Sequence, residues 1–319
     1  MQVKNTEKFD VTFWGVRGSY PVPGKNTQLF GGNTTCIQIT IGSTTIIFDA
    51  GTGIIKLGQK LASDYFQSKS KQPLKLTLFF THLHHDHTQG LPFFAPLYLG
   101  QTILYLFGPR NFGNELNITL ERSMIPPNFP VDFYHSTSVK CVKTIKENNI
   151  ILLDTKDLTP RTINRYHEKA AIKDSTIAVK VMNEYSHPAN GVLVYRIEHS
   201  RRSVVFATDV EGYLFGDTKL IQFAKGADLL IHDAQYSMEQ YCAMPTPRQG
   251  FGHSIPEMAI EVARQAEVKS LALTHHDPES SDAVLKRNQS KYRRRFANLF
   301  YASEGMNVTV NSHSSQNHD

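Results

Sequence analysis

The sequence predicts a single α/β domain over residues 1–310, with its functional groups gathered along one edge of its sheets. Three observations predict it. Short apolar runs of strand length recur along the chain and end, one after another, on a histidine or an aspartate. Segments with helical start signals lie between them, as at Pro256 and Glu257. No repeat, low-complexity tract or linker divides the 319 residues, and 40% hydrophobic content suffices for one large core.

Residues 11–14 read as a first strand running into Gly15-Val16-Arg17-Gly18-Ser19 and a loop with Pro21, Pro23 and Gly24. Residues 36–40 and 44–48 read as a hairpin turned at 41–43. Phe48 then leads into Asp49-Ala50-Gly51-Thr52-Gly53, an aspartate at a strand end before a helix expected over 54–66. The apolar run Leu76-Thr77-Leu78-Phe79-Phe80 has the composition of a strand buried on both faces. A helix is expected over 89–99 and a strand over 103–107. Residues 111–173 carry the weakest pattern, with two short strands near 139–145 and 150–153. They read as an inserted lid over the site or a homodimer contact.

The second half repeats the strand-then-ligand pattern. Strands at 177–182 and 192–197 flank Tyr185-Ser186-His187-Pro188; the strand at 203–207 ends in Thr208-Asp209, and that at 228–231 in His232-Asp233. After a helix over 255–265, a strand at 270–273 ends in Thr274-His275. A last helix, over 281–299, carries Lys286, Arg287, Lys291, Arg293, Arg294 and Arg295, which form a solvated face or a charge that steers anions. Residues 311–319, with His313 and His318, read as a disordered polar tail.

Composition narrows the function classes. A formal charge of +5 suits an anionic substrate but is too small to imply nucleic acid. Cys36, Cys141 and Cys242 lie far apart and form no CxxC pair, so neither a disulfide framework nor a zinc knuckle is indicated. The amino terminus has no apolar signal region and no stretch is long enough to span a bilayer, so a cytoplasmic protein without membrane contact is expected.

The chemistry is concentrated at His82, His84, Asp86 and His87, three histidines and an aspartate within six residues at the end of a buried strand. In extended chain His82 and His84 point the same way, and Asp86 and His87 can face a second point, so the spacing suits two metal ions. A hydroxide held between two ions, roughly 3.5–4 Å apart, attacks phosphorus or carbonyl carbon at neutral pH. Hydrolysis is the reaction class this implies.

His82-Leu83-His84-His85-Asp86-His87 resembles the HxHxDH signature of the metallo-β-lactamase superfamily without a substitution, with His85 at a non-ligand position. The resemblance implies a four-layer αββα sandwich. Phe13-Trp14-Gly15-Val16-Arg17-Gly18-Ser19, with Gly31-Gly32-Asn33-Thr34-Thr35-Cys36, is similar to the opening of a phosphodiesterase branch of that superfamily. It further implies that His187 joins His82 and His84, that Asp209 bridges, and that His275 joins Asp86 and His87. Asp49 would buttress these ligands without touching metal. Two zinc ions are the implied cofactors, with manganese or iron as alternatives. Arg17 and Asn33 are candidate substrate-binding residues, although Arg17 could equally pair with a carboxylate.

Asp233 and His253 resemble the acidic residue and histidine of the tRNA 3′-processing nucleases, with Asp where that branch usually has Glu. With Asp86 they form the implied catalytic set, His253 as general acid. The nucleases carry a long tRNA-gripping arm after the third metal motif, but His187 and Asp209 here stand only 22 positions apart. Structured tRNA is therefore not expected as a partner, and a small phosphodiester, a 3′,5′-cyclic nucleotide above all, is the expected substrate. The alternatives are an RNA-trimming nuclease without the arm, a thioester or lactam hydrolase, and a non-catalytic nucleotide-binding protein.

Overall fold

A computed structural model describes residues 7–168, 173 and 175–311. The elements run β1 (Phe9–Gly15), β2 (Cys36–Ile41), β3 (Thr44–Phe48), α1 (Gly53–Ser68), β4 (Leu74–Phe79), α2 (His85–Thr88), β5 (Thr102–Gly108), α3 (Leu116–Ser123) and β6 (Val139–Thr144). They continue with β7 (Asn149–Asp154), β8 (Arg161–Asn164), β9 (Thr176–Glu184), β10 (Val192–His199), β11 (Arg202–Ala207), α4 (Thr218–Ala224), β12 (Leu229–Asp233) and α5 (Met238–Tyr241). The chain closes with α6 (Pro256–Gln265), β13 (Ser270–Thr274), α7 (Asp282–Arg293), β14 (Leu299–Tyr301) and β15 (Asn307–Thr309).

Two sheets form, in the orders β15-β1-β2-β3-β4-β5-β6 and β14-β13-β12-β11-β10-β9-β7-β8. Side chains alternate across each strand, and the alternation sorts the apolar residues into layers. Phe9, Val11, Phe13, Phe48 and Phe79 from the first sheet meet Val179, Tyr195, Phe206, Ile231 and Ala272 from the second in one central core. The outward-facing Ile47, Leu76 and Leu78 pack instead with Ile54 and Leu57 of α1. On the far side Val205, Leu230 and Leu271 pack with Leu220 of α4, Ala259 of α6 and Leu285 of α7. Helix, sheet, sheet and helix thus stack in four layers, as the resemblance implied.

Three expectations need correction or completion. The helix expected over 89–99 is two short 3-10 turns, Leu91–Phe93 and Ala95–Tyr98, because Pro92 and Pro96 remove the amide donors a continuous helix needs. The basic helix stops at Arg293, since Leu299 is extended in β14 and pairs with Leu271. Strands in the weakly patterned 111–173 segment extend the edges of both sheets, β6 beside β5 and β7 beside β9. The tail from 312 onward, with His313 and His318, lies outside the described residues. Among the described residues no helix is long and apolar enough to cross a membrane.

Candidate metal centre

β3 to β6 run parallel in one sheet, as β11 to β14 do in the other, so their carboxyl ends open on common edges. The chain leaves β3 at Asp49, β4 through Thr81 and His82, β11 through Asp209 and β13 at His275, while β12 ends on Asp233 itself. Asp49, Asp209 and His275 each take a left-handed conformation, with φ of 61°, 55° and 58°. Such a backbone costs about 1 kcal/mol or more for a residue with a Cβ. It turns each side chain into the space where the strand ends meet.

Two donor groups form around the histidine motif, His82, His84 and His187, and Asp86, His87, Asp209 and His275, and a third set of close donors, Asp209, Asp233, His253 and His275, adjoins them. His82 and His84 lie on extended chain, while Asp86 and His87 sit on the single turn of α2. Within each group the potential ligand atoms all lie within 4.8 Å of one another. The Asp209 carboxylate stands between the groups. Its Oδ1 is 3.7 Å from His82 Nε2, 3.9 Å from His187 Nε2 and 3.3 Å from His275 Nε2, and its Oδ2 is 3.2 Å from His87 Nε2.

The far nitrogen of each ring fixes which nitrogen faces inward. His187 Nδ1 donates to the Gly252 carbonyl, His275 Nδ1 to Gln235 Oε1 and His87 Nδ1 to Asp49 Oδ2. Thr81 gives its hydroxyl proton to Asp49 Oδ2, at 2.9 Å, so its oxygen accepts from His82 Nδ1 at 3.0 Å. Bare Nε2 lone pairs are therefore aimed into the cluster. His82 Nε2 lies 3.0 Å and His187 Nε2 3.1 Å from His84 Nδ1, and His87 Nε2 lies 3.4 Å from His275 Nε2. Facing lone pairs repel unless a proton or cation sits between them. This donor set fits two divalent metal ions.

Asp49 organises both groups. One buried carboxylate holds His87 directly and His82 through Thr81, and it also accepts from the Thr81 amide at 2.8 Å. Asp86 is pinned by the Ser19 amide at 2.8 Å. Gly18 lets that loop pass, because a Cβ there would come within 2.3 Å of the His275 ring.

The charges within the cluster favour a cation among its donors. Burial opposes the charge on Asp209, but His275, His87 and His82 outweigh it and hold the carboxylate well below its ordinary range. Burial likewise opposes protonation of His275, yet Asp209 and Asp86 push it up to about 9. On His82 burial wins, reinforced by His87, and protonation is strongly suppressed.

A cavity of about 410 Å³ opens over the cluster, with Ser19, His84, Asp86, Asp209 and His253 among its walls. His253 Nδ1 donates to Asp233 Oδ2 at 2.8 Å, which leaves Nε2 for the cavity. Asp233 is buried and fully engaged: Oδ1 accepts from the Gln235 and Ser254 amides, and Oδ2 from His253 and the Asp209 amide. No lone pair remains for a metal, so this pair is separate from the two donor groups.

Arg17 and Asn33 do not meet the cavity. The Arg17 guanidinium is fully buried and donates to the carbonyls of Gly31, Asp277 and Ser280. The Asn33 side chain donates to Glu304. Both tie the first loop to the carboxyl-terminal part of the chain, and a substrate cannot reach a guanidinium enclosed on all sides. Residues not foreseen include Thr81, Gln235 and Glu211. Glu211 accepts from the amides of Gly250 and Gly252, and so holds the carbonyl that orients His187. Only adjacency to His82 and Asp233 could have flagged Thr81 and Gln235.

Residues 44–276 match the family described as the beta-lactamase superfamily domain. A ribonuclease Z of Saccharolobus islandicus (strain L.S.2.15 / Lassen #1) is 30% identical over 219 residues, 64% of this chain and 71% of that protein. A ribonuclease Z of Synechococcus sp. (strain CC9311) is 27% identical over 336 residues, covering 94% of this chain and 98% of that one. Among solved structures, the metallo-beta-lactamase fold protein YhfI from Bacillus subtilis superposes with a TM-score of 0.62 at 16% identity, over 95% of this chain and 99% of that chain.

Proposed function

Because this chain belongs to the beta-lactamase superfamily, on the branch that holds the ribonuclease Z proteins, we propose that it is a phosphodiesterase acting on a small phosphodiester, with a 3′,5′-cyclic nucleotide as the substrate that fits best. The observation that carries this reading is His253, held by buried Asp233 at the wall of a small cavity that also exposes Asp86 and Asp209. Its volume of about 410 Å³ suits a compact ligand. Between His187 and Asp209 the chain makes only the β10–β11 hairpin, which offers no arm to grip a folded RNA.

When bound, a pair of divalent ions, zinc by the nitrogen-rich donor set, supplies a water nucleophile at neutral pH and positive charge for the phosphoryl oxygens. The chain's own residues do the rest. Asp49 keeps the Nε2 atoms of His82 and His87 turned inward, directly and through Thr81. Asp233 takes the Nδ1–H of His253, so that the proton the ring gives away is one carried on Nε2, facing the phosphate. His253 then gives its proton to the departing oxygen, which places the leaving group on the side of the cavity that His253 occupies.

Cyclic AMP, cyclic GMP, dinucleotides and bis(p-nitrophenyl) phosphate, offered with zinc or manganese, test the reading. Turnover of a cyclic nucleotide supports it. A second reading, trimming of RNA ends, draws on the ribonuclease Z relatives and on exposed Arg287, Arg293 and Arg294. Cleavage of RNA that falls steeply with salt, with cyclic nucleotides left intact, would favour that reading and sink the first.

A further inference from the structure

Arg248 brings a positive charge to the loop that carries His253. It stands on the loop between α5 and α6, which is tied down along its length. The Arg248 amide donates to the Tyr241 carbonyl at 3.1 Å, and its own carbonyl accepts from the Phe251 amide at 3.2 Å. Glu211 holds the next turn through the Gly250 and Gly252 amides, each at 2.8 Å, and the Tyr241 hydroxyl at 2.6 Å. Gly252 has φ of +85°, and a Cβ there would come within 2.2 Å of His187 Nδ1, so the loop presses directly on the metal-ligand histidine.

The guanidinium lies over two rings on this platform, 5.5 Å from the centroid of Phe251 and 5.9 Å from that of Tyr236. Tyr236 in turn meets His253 edge to face at 5.8 Å. Arg248 is exposed, and among the described residues no carboxylate lies within ion-pair distance of it. Arginines on protein surfaces commonly find an acid or project freely into solvent. This one is stacked on aromatic rings, positioned by a tied-down loop and left without an anionic partner, with Tyr236 between it and the proposed general acid.

We propose that Arg248 is a specificity-determining residue that binds a pair of acceptor atoms on the leaving-group side of the substrate. The inference rests on the reading above in one respect: His253 defines which side that is. A guanidinium presents parallel N–H groups, a fork that matches two neighbouring acceptors. Two sources supply such a pair on a small phosphodiester. One is the O6 and N7 edge of guanine; adenine places a donor beside N7 and matches poorly. The other is a second, terminal phosphate. Stacking on Phe251 and Tyr236 fixes the plane of the fork before substrate arrives, so little ordering is left to do on binding.

The test compares matched substrates with the metal-loaded enzyme and its Arg248→Ala and Arg248→Lys variants. Cyclic GMP is set against cyclic AMP, and a dinucleotide with a 5′-phosphate against the same dinucleotide without it. Arg248→Ala is expected to lower kcat/KM by about 10-fold or more on the member of a pair that bears the acceptors, mainly through KM, and much less on its partner. Lysine keeps the charge and loses the fork. It should restore the phosphate pair if phosphate is the source, and should fail to restore the cyclic GMP preference if guanine is.

Equal losses on both members of each pair, carried by kcat, would make Arg248 a tie for the His253 loop and overturn the proposal; so would no loss on any. If cyclic nucleotides are not turned over at all, the substrate reading above fails, and Arg248 is judged apart from it. Calorimetric binding of guanosine 5′-monophosphate and adenosine 5′-monophosphate to the metal-free protein then decides. A guanine preference that vanishes in Arg248→Ala sustains the proposal; affinities that do not change between the variants, with no effect on the dinucleotide pair, reject it.

Discussion

The stretch from Thr81 to Thr88 and the loop between α5 and α6 serve the same cavity, yet they are built in opposite ways. In the first, four potential metal donors lie within six residues, and a strand end followed by one helical turn sets their directions. In the second, Arg248, Gly252 and His253 lie on irregular chain, and carboxylates from elsewhere, Glu211 and Asp233, hold Gly252 and His253 in place. Metal donors must stand within tenths of an ångström of their ideal positions, so they sit where a sheet fixes the main chain. Proton donation and recognition tolerate a loop, provided buried clamps remove its freedom.

The largest effects should separate the two regions by role. Asp209→Ala removes the carboxylate within reach of both donor groups, and should leave the protein without its full complement of metal and with the greatest loss of turnover. His253→Ala should keep the metal and still lose about 100-fold or more in turnover, most strongly on substrates with poor leaving groups. Metal per chain, measured by elemental analysis beside kcat, checks both. A His253 variant that loses its metal would erase the distinction.

Next in size is the shared buttress. Asp49→Asn should weaken metal binding by about 10- to 100-fold, because His87 and His82 both depend on that carboxylate. Thr81→Val cuts only the link to His82, so its effect should be smaller and confined to one of two binding steps in a zinc titration. Equal effects would mean that the two donor groups are not organised through Asp49 as the hydrogen bonds indicate.

The smallest effect is a pH dependence of opposite sign with and without metal. In the metal-free protein Asp209 and Asp86, outweighing burial, raise His275 from an ordinary 6.5 to about 9. A raised histidine contributes stability that is fully present below 6.5 and is lost as pH climbs through about 9. Binding of a cation must displace that proton, so affinity should rise over the same interval. Melting temperatures from pH 6.5 to 9 should therefore fall for the metal-free protein relative to the zinc-loaded one. Parallel curves would remove His275 from the set of metal-linked protons.

Arg17 and Asp49 show how far residue patterns carry. Both are charged residues in loops that follow early strands, and both are fully buried. Asp49 faces Thr81 and His87 at the cluster, whereas Arg17 turns to three main-chain carbonyls. Nothing local distinguishes them, since the direction of a buried charge depends on which distant groups the fold brings to it. The weak pattern of residues 111–173 has a similar cause. Its outer strands, β6 and β8, are sheet edges, and a partly exposed edge such as β6 needs no continuous apolar run.

By itself, the sequence determined the four-donor stretch at the end of a buried strand, the recurrence of acidic and histidine residues at later strand ends, and the short apolar runs that become strands. Those properties are local, because side-chain direction follows from strand and helix period within a few residues. Only the tertiary structure decided that Asp209 stands between two donor groups, that Asp49 steadies both of them, that Arg17 and Asn33 fasten loops, and that Arg248 lies stacked on Tyr236, which meets His253. Each of these is a relation between groups far apart in the chain. Such relations come into being when burial of the apolar core brings strand ends and loops to one edge.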